Sequence, residues 1–206
     1  PGPEIRLRAR GRFQRRNFAL ARTAAEAFLG ELEAERVAAV AAELTIPGRL
    51  ELLAGEPPVL LDAAHNPDGM EALADAVPEI AGGRPVVACL AVLGDKDAAA
   101  MVAALAPALD RVVCAELPAD ALRAQGRPGA VSHPAEALAR ACEGAGLDAE
   151  AEPRFPLALK RARQLALERA DGILLVSGSH YVLAPARAAL GRLTLCDDGE
   201  VGRNEL

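Results

Sequence analysis

Asp62, His65 and Asn66 share one short stretch, Asp62-Ala63-Ala64-His65-Asn66-Pro67-Asp68-Gly69, directly after the apolar run Val59-Leu60-Leu61. A carboxylate, an imidazole and a carboxamide at this spacing can orient a polar substrate and an anionic phosphate. The same residue types also serve as ordinary caps where a strand hands over to a helix. Three other clusters carry comparable chemistry. Pro47-Gly48-Arg49 offers a guanidinium that can face a phosphate or ribose, or simply follow a surface turn. Ser177-Gly178-Ser179-His180-Tyr181 combines small residues, which admit a ligand to the backbone, with a hydroxyl on Ser179 that can donate to a carboxylate. In Gly94-Asp95-Lys96-Asp97, Asp97 can cap a helix and Lys96 can reach an anion across a sheet edge, with a structural turn as the favoured reading. His133, before Pro134, has no nearby ligand set and falls in a loop.

The elements that must hold these groups follow from the hydrophobic pattern. From Pro47 onward strands alternate with helices, which predicts an α/β fold: a mostly parallel sheet flanked by helices on both faces. Strands are predicted at Leu50 to Leu53, Val59 to Asp62, Val86 to Val92, Arg111 to Glu116 and Ile173 to Val176, with a weaker one near Ala149 to Pro153. Helices are predicted from Asn66 to Ile80, Asp97 to Leu109, Pro134 to Gly144, Pro156 to Arg169 and Pro185 to Leu193, with Pro78 shortening or bending the first. Asn66 as N-cap and Pro67 as first helical residue start that helix, and Met70, Leu73, Ala74 and Val77 mark one face. Each candidate cluster therefore lies at a strand end or junction, where open α/β sheets bind ligands.

Before Pro47 the pattern is different. Arg6, Arg8, Arg10 and Arg12 alternate with Ile5, Leu7, Ala9 and Gly11, which predicts a strand with one solvated face. A long helix is predicted from Gln14 to about Leu44, with Phe18, Ala21, Ala25, Phe28, Leu29 and Leu32 as its apolar stripe. One strand and one helix cannot bury their own apolar faces, so residues 1–46 are expected to be the end of something larger.

Composition narrows the function classes. The 206 residues carry a net charge of −6, no Trp, one Tyr and four Phe. Neither a clustered positive surface nor an aromatic platform is available for nucleic acid, despite the local arginines up to Arg16. Cys89, Cys114, Cys142 and Cys196 form no Cys-x-x-Cys pair, which argues against a zinc site and against a disulfide framework. There is no membrane-length apolar stretch and no signal-peptide core, so no membrane is expected and a cytoplasmic location is. The polar tail from Cys196 to Leu206 is expected to be loosely held. Within the 206 residues there is no Gly-x-x-x-x-Gly-Lys-Ser/Thr phosphate loop, no Gly-x-Gly-x-x-Gly fingerprint and no Gly-x-Ser-x-Gly elbow.

Asp62-Ala63-Ala64-His65-Asn66-Pro67 resembles the Asp-Gly-Ala-His-Asn-Pro motif of folylpolyglutamate synthases and bifunctional dihydrofolate synthases in the Mur ligase superfamily. Pro47-Gly48-Arg49 with Leu50-Glu51, Asp95-Lys96-Asp97 and Ser177-Gly178-Ser179-His180-Tyr181 occur in the same order. Gln14-Arg15-Arg16-Asn17 is similar to the His-Gln-x-x-Asn segment that closes the family's ATPase domain. Two positions depart from the pattern, Phe13 for His and Ala63 for Gly.

The resemblance implies that residues 47–206 are a Rossmann-like Mur ligase C-terminal domain and residues 1–46 the last strand and helix of an ATPase domain. It implies ATP-dependent amide ligation: a folate or dihydropteroate carboxylate is phosphorylated by ATP with magnesium, and the amine of glutamate attacks the acyl phosphate. Asn17 would contact adenine, and Arg49 and Asp62 would hold ribose and phosphates. His65 and Ser179 would sit by the incoming glutamate and the reacting acyl group, with Asn66 supporting the loop and Lys96 facing substrate. The magnesium ligands and phosphate loop would belong to the N-terminal ATPase half, so Asp62 is not expected to hold metal. A chain without that half is expected to be inactive alone. The alternatives are a non-catalytic nucleotide- or ligand-binding module and a ligase acting on another peptide-like substrate.

Overall fold

The computed structural model describes residues 5–169, 171–191 and 193–196, and it divides into two compact units, Pro1–Glu51 and Leu52–Leu206. In the first unit, helix α1 (Arg12–Leu29) is followed by α2 (Ala34–Glu43). The single long helix expected here is thus two. Gly30, at φ 86° and with its N–H on the Glu26 carbonyl, ends α1 in a conformation that a residue with a Cβ resists. Phe18, Ala21, Ala25 and Leu32 line a cavity of about 300 Å³ together with Val37 and Val40. Phe28 and Leu29 of the expected stripe are instead exposed, at 88 % and 69 %.

The strand expected over the alternating arginines is absent. Residues 5–11 carry no strand, and the Arg8 N–H donates to the Ala41 carbonyl of α2 at 2.9 Å. Among the described residues no strand precedes Glu51. Strand periodicity alone does not make a strand: the backbone needs a partner, and here the Arg8 N–H finds one on a helix.

The second unit is the predicted α/β sheet. Its strands are β1 (Glu51–Leu53), β2 (Val59–Leu61), β3 (Val86–Leu90), β4 (Arg111–Glu116), β5 (Asp148–Arg154) and β6 (Ile173–Ser177), in the order β1-β2-β6-β3-β4-β5. All four pairings from β2 across to β5 are parallel. Strands β2, β3 and β6 are buried throughout, as expected for strands covered on both faces. Edge strand β5 is more open, and Glu150 on it is gripped by Arg161 at 2.7 Å and Arg111 at 2.9 Å.

Among the described residues six helices of this unit follow: α3 (Pro67–Ala81), α4 (Ala98–Leu105), α5 (Ala119–Ala124), α6 (Ala135–Gly144), α7 (Phe155–Leu167) and α8 (Leu183–Leu190). Neither the short α5 nor the 3₁₀ turn His180–Val182 is among the predicted elements. Helix α3 starts on the Asn66 cap, stops at Gly82 in the left-handed region, and continues past Pro78 to Ala81. Pro78 lies on the exposed side, where solvent can bond the carbonyl it leaves without a partner. Helices α7 and α8 pack on Val59, Leu61, Val87, Cys89, Val113, Leu174 and Val176. The alternate strand residues face the opposite layer of α3, α4 and α6, where Cys114 meets Cys142 of α6.

The two layers follow from chain direction. From β2 to β5 the chain advances through α3, α4 and α6. It then returns through α7 to insert β6 between β2 and β3. Right-handed crossovers put the returning helix on the other face.

The segment after α8 is only partly described. Leu195 bridges antiparallel to Leu53, the Cys196 N–H donates to the Leu52 carbonyl at 3.0 Å, and Cys196 is buried. The start of the expected loose tail is therefore pinned to β1, and its remainder, 197–206, lies outside the described residues. No helix among the described residues is long and apolar enough to cross a membrane.

Candidate active site at the carboxyl edge of the sheet

Strands β2 and β6 are neighbours in parallel register, with Leu61 opposite Val176. The loop after β2 leads to α3 on one face and the loop after β6 leads to α8 on the other. Loops that part in this way leave a crevice at the carboxyl ends of their strands. Asp62, His65 and Asn66 occupy one side of that divide, and Ser177, Ser179 and His180 the other.

Each loop is shaped by its own polar residues. Asp62 is buried; its N–H donates to the Val176 carbonyl at 3.1 Å, carrying the ladder one residue beyond the strand, and its Oδ1 accepts from the Ala64 N–H at 2.8 Å. That bond turns the chain out of the sheet. Ala63 keeps a negative φ, so the departure from Gly at this position brings no backbone strain. The Asn66 Oδ1 accepts from the Gly69 N–H at 2.7 Å, which makes the carboxamide the cap of α3.

His65 is half-buried, with Nδ1 2.9 Å from the Ala63 carbonyl. A carbonyl oxygen only accepts, so Nδ1 carries the proton and the neutral ring keeps its lone pair on Nε2. Nε2 is then the nitrogen that can serve a ligand.

On the other loop Ser179 is buried, and its Oγ accepts from the Tyr181 N–H at 3.2 Å to cap the 3₁₀ turn. Gly178 sits at φ 108°, and a Cβ there would collide with the Ala91 carbonyl. The missing side chain lets the loop press against the end of β3, where the Ala91 N–H donates to the Ser177 carbonyl at 3.3 Å. Ser177 is fully buried and its Oγ has no hydrogen-bond partner. The two loops meet through His65 and His180, whose ring centroids are 4.8 Å apart with a 46° tilt.

The β3–α4 loop follows the neighbouring strand on the same edge. Asp97 caps α4 through Ala100 at 3.0 Å. Lys96 Nζ lies 3.9 Å from Asp95, which also meets Arg127 at 3.4 Å, and the Lys96 carbonyl accepts from His133 Nε2 at 2.9 Å. These bonds make a structural turn, the reading favoured from the sequence. His133 has a task the sequence does not show: with its N–H on the Val92 carbonyl, it ties two loops together.

In the first unit Ile46-Pro47-Gly48-Arg49 closes a turn through the Arg49 N–H and the Ile46 carbonyl at 3.1 Å, with Gly48 at φ 68°. Pro followed by a positive-φ Gly is the signature of a type II turn. Glu51 accepts from the Gly48 N–H at 2.6 Å and braces the turn. Asn17 is exposed and donates to Gln14, itself buried, at 3.2 Å.

Of the residues singled out in the sequence, the structure brings Asp62, His65, Asn66 and Ser179 to one sheet edge. Asn17 and Arg49 belong to the other unit. The sequence reading leaves out His180 as a site residue, and Ser177 beside it. His65 and His180 each stand four residues beyond a paired position, Leu61 and Val176, a match that only the strand pairing reveals.

A parallel α/β domain with polar loops facing one another across such a divide belongs to the class of open-sheet ligand-binding domains. Residues 48–180 match the model described as Mur ligase, glutamate ligase domain, and the chain belongs to that family. It is 43 % identical over 115 residues to the dihydrofolate synthase/folylpolyglutamate synthase of Mycobacterium tuberculosis, covering 53 % of this chain and 24 % of that protein. It is 28 % identical over 185 residues to the folylpolyglutamate synthase of Lacticaseibacillus casei, covering 87 % and 39 %. The crystal structure of Mycobacterium tuberculosis folylpolyglutamate synthase complexed with ADP and AMPPCP superposes with a TM-score of 0.80 at 33 % identity, over 93 % of this chain and 43 % of that one. The chain therefore spans less than half the length of these relatives.

Proposed function

We propose that this chain contributes one side of the active site of an ATP-dependent carboxylate–amine ligase that adds glutamate to a folate or dihydropteroate substrate. The observation that carries the reading is the meeting of the His65 and Ser179 loops at the divide between β2 and β6, in a chain of the glutamate ligase family. The reaction transfers a phosphoryl group from ATP to the folate carboxylate. The glutamate amine then attacks that carbonyl, an amide bond forms, the bond to phosphate breaks, and a proton leaves the nitrogen. Such chemistry depends on positioning and on neutralising charge.

In this reading Asn17 contacts adenine, and Arg49 and Asp62 hold ribose and phosphates. His65, through Nε2, and Ser179, through its hydroxyl proton, bind the incoming glutamate near the acyl group. Asn66 holds the loop as its cap, and Lys96 adds positive charge on the same edge. Among the described residues no group of three or more His, Cys, Asp or Glu can hold a metal ion. The described residues thus offer no such cluster for magnesium. Magnesium with the ATP, and the phosphate loop, are assigned to an N-terminal ATPase portion outside these 206 residues.

The reading is tested by joining the 206-residue chain to the N-terminal portion of the Mycobacterium tuberculosis relative and following ADP release. Release that requires both L-glutamate and a folate or dihydropteroate, and that falls at least tenfold in H65A, is expected. Release with a muramyl peptide but with no folate would overturn the substrate assignment. Ligand binding by a joined protein that releases no ADP would favour a binding module.

A further inference from the structure

His180 is exposed, yet three features fix where it stands. Its chain position is set by the β2/β6 register, since His65 and His180 each follow a paired residue, Leu61 or Val176, by four. Its backbone opens the 3₁₀ turn that Ser179 caps through Tyr181. Behind it, Gly178 lets the loop lie against the Ala91 carbonyl at the end of β3. On this platform the His180 ring packs on the His65 ring at 4.8 Å and 46°.

His65 needs such a support. One hydrogen bond, from Nδ1 to the Ala63 carbonyl two residues away, leaves the ring free to swing about its χ angles unless something packs on its face. If that bond is lost, the proton redistributes to Nε2, and the nitrogen that would receive a ligand proton becomes a donor instead. Such an outer contact, which fixes a tautomer, is how a neighbouring group sets the chemistry of an imidazole it does not replace.

We propose that His180 is a positioning residue for His65: ring packing between the two holds His65 on the Ala63 carbonyl, with the proton on Nδ1 and the lone pair on Nε2. Its consequence for glutamate rests on the ligase reading, whereas the geometry does not. The role proposed is that of the ring as a flat surface, which an aromatic replacement without nitrogen tests.

The test uses the 206-residue chain labelled with ¹⁵N-histidine. It has three histidines, and H65Q identifies the His65 signals in two-bond ¹H–¹⁵N spectra. With the ring neutral, His65 is expected as the Nδ1–H form. In H180A it shifts to a mixture with Nε2–H, and in H180F the Nδ1–H form returns. Circular dichroism melts confirm that both variants are folded. An unchanged His65 spectrum in H180A, or no recovery in H180F relative to H180A, would overturn the proposal. Adding L-glutamate separates the two levels. A His65 response to glutamate that is weakened in H180A supports the positioning role in ligand binding. A tautomer shift in H180A with no glutamate response keeps the positioning role and counts against the glutamate site.

Discussion

The Asp62 N–H donates to the Val176 carbonyl at 3.1 Å, one residue past the last β2 pair, and the Asp62 carboxylate accepts the Ala64 N–H at 2.8 Å. One buried residue thus continues the sheet with its backbone and ends it with its side chain. The direction in which the His65 loop leaves the sheet depends on both bonds.

D62A leaves the buried Ala64 amide without its acceptor. It is expected to destabilise the second unit by about 1–3 kcal/mol, measured by urea unfolding, and to loosen His65 as well. An unfolding midpoint equal to that of the unmodified chain would show that the turn holds without the carboxylate.

G178A tests the other loop. An added methyl meets the Ala91 carbonyl at a φ of 108°, so both strain and collision act. A loss of about 2 kcal/mol or more is expected, accompanied by faster amide exchange at Ser179 and Tyr181. By contrast A63G should cost about 1 kcal/mol or less, because Ala63 already has an ordinary backbone.

Acid should weaken the β5 edge through Glu150. The hydrogen bond from Arg161, with the nearby Arg111 charge, holds its carboxyl below the usual carboxylate range. A folded-state pKa below the unfolded one stabilises above the unfolded value and is lost as pH falls through the folded value. E150Q should therefore lower the melting temperature at neutral pH, by up to about 1 kcal/mol of stability for this partly exposed site. It should also flatten the fall in melting temperature between about pH 5 and pH 3. A parallel decline in both proteins would discount the pair.

The four cysteines are all buried and none is in a disulfide. Burial pushes the Cys89 thiol up to about 12, and the Cys114 thiol is raised by its hydrogen bond with Cys142, 3.7 Å away, and by burial. Thiolate is the reactive form. Ellman's reagent should accordingly label Cys89 and Cys114 only as fast as the second unit unfolds, with all four thiols counted in denaturant. Rapid labelling of Cys114 in the native protein would contradict this packing.

Much of this molecule was legible in one dimension because its cues are local. Buried parallel strands read as apolar runs, and Asn66-Pro67 announces a helix start whatever lies around it. The Arg111 to Glu116 strand matches its prediction at both ends. The misses have two sources. Among the described residues the arginine alternation before Gly11 finds no strand to pair with, and the long helical stripe ran past Gly30, a local breaker whose φ of 86° stops α1.

The candidate site divides in the same way. Residue types and spacing marked Asp62, His65, Asn66 and Ser179 as candidates, and the motif resemblance pointed to the family, because side-chain chemistry, capping and motifs are properties of short segments. That β6 is inserted between β2 and β3 is a long-range event: 115 residues separate Leu61 from its partner Val176. Only that pairing sets His180 against His65. Sheet order arises from burial and crossover handedness across the whole chain, which no short segment records. The sequence by itself determined which groups are available; the tertiary structure decided which of them touch.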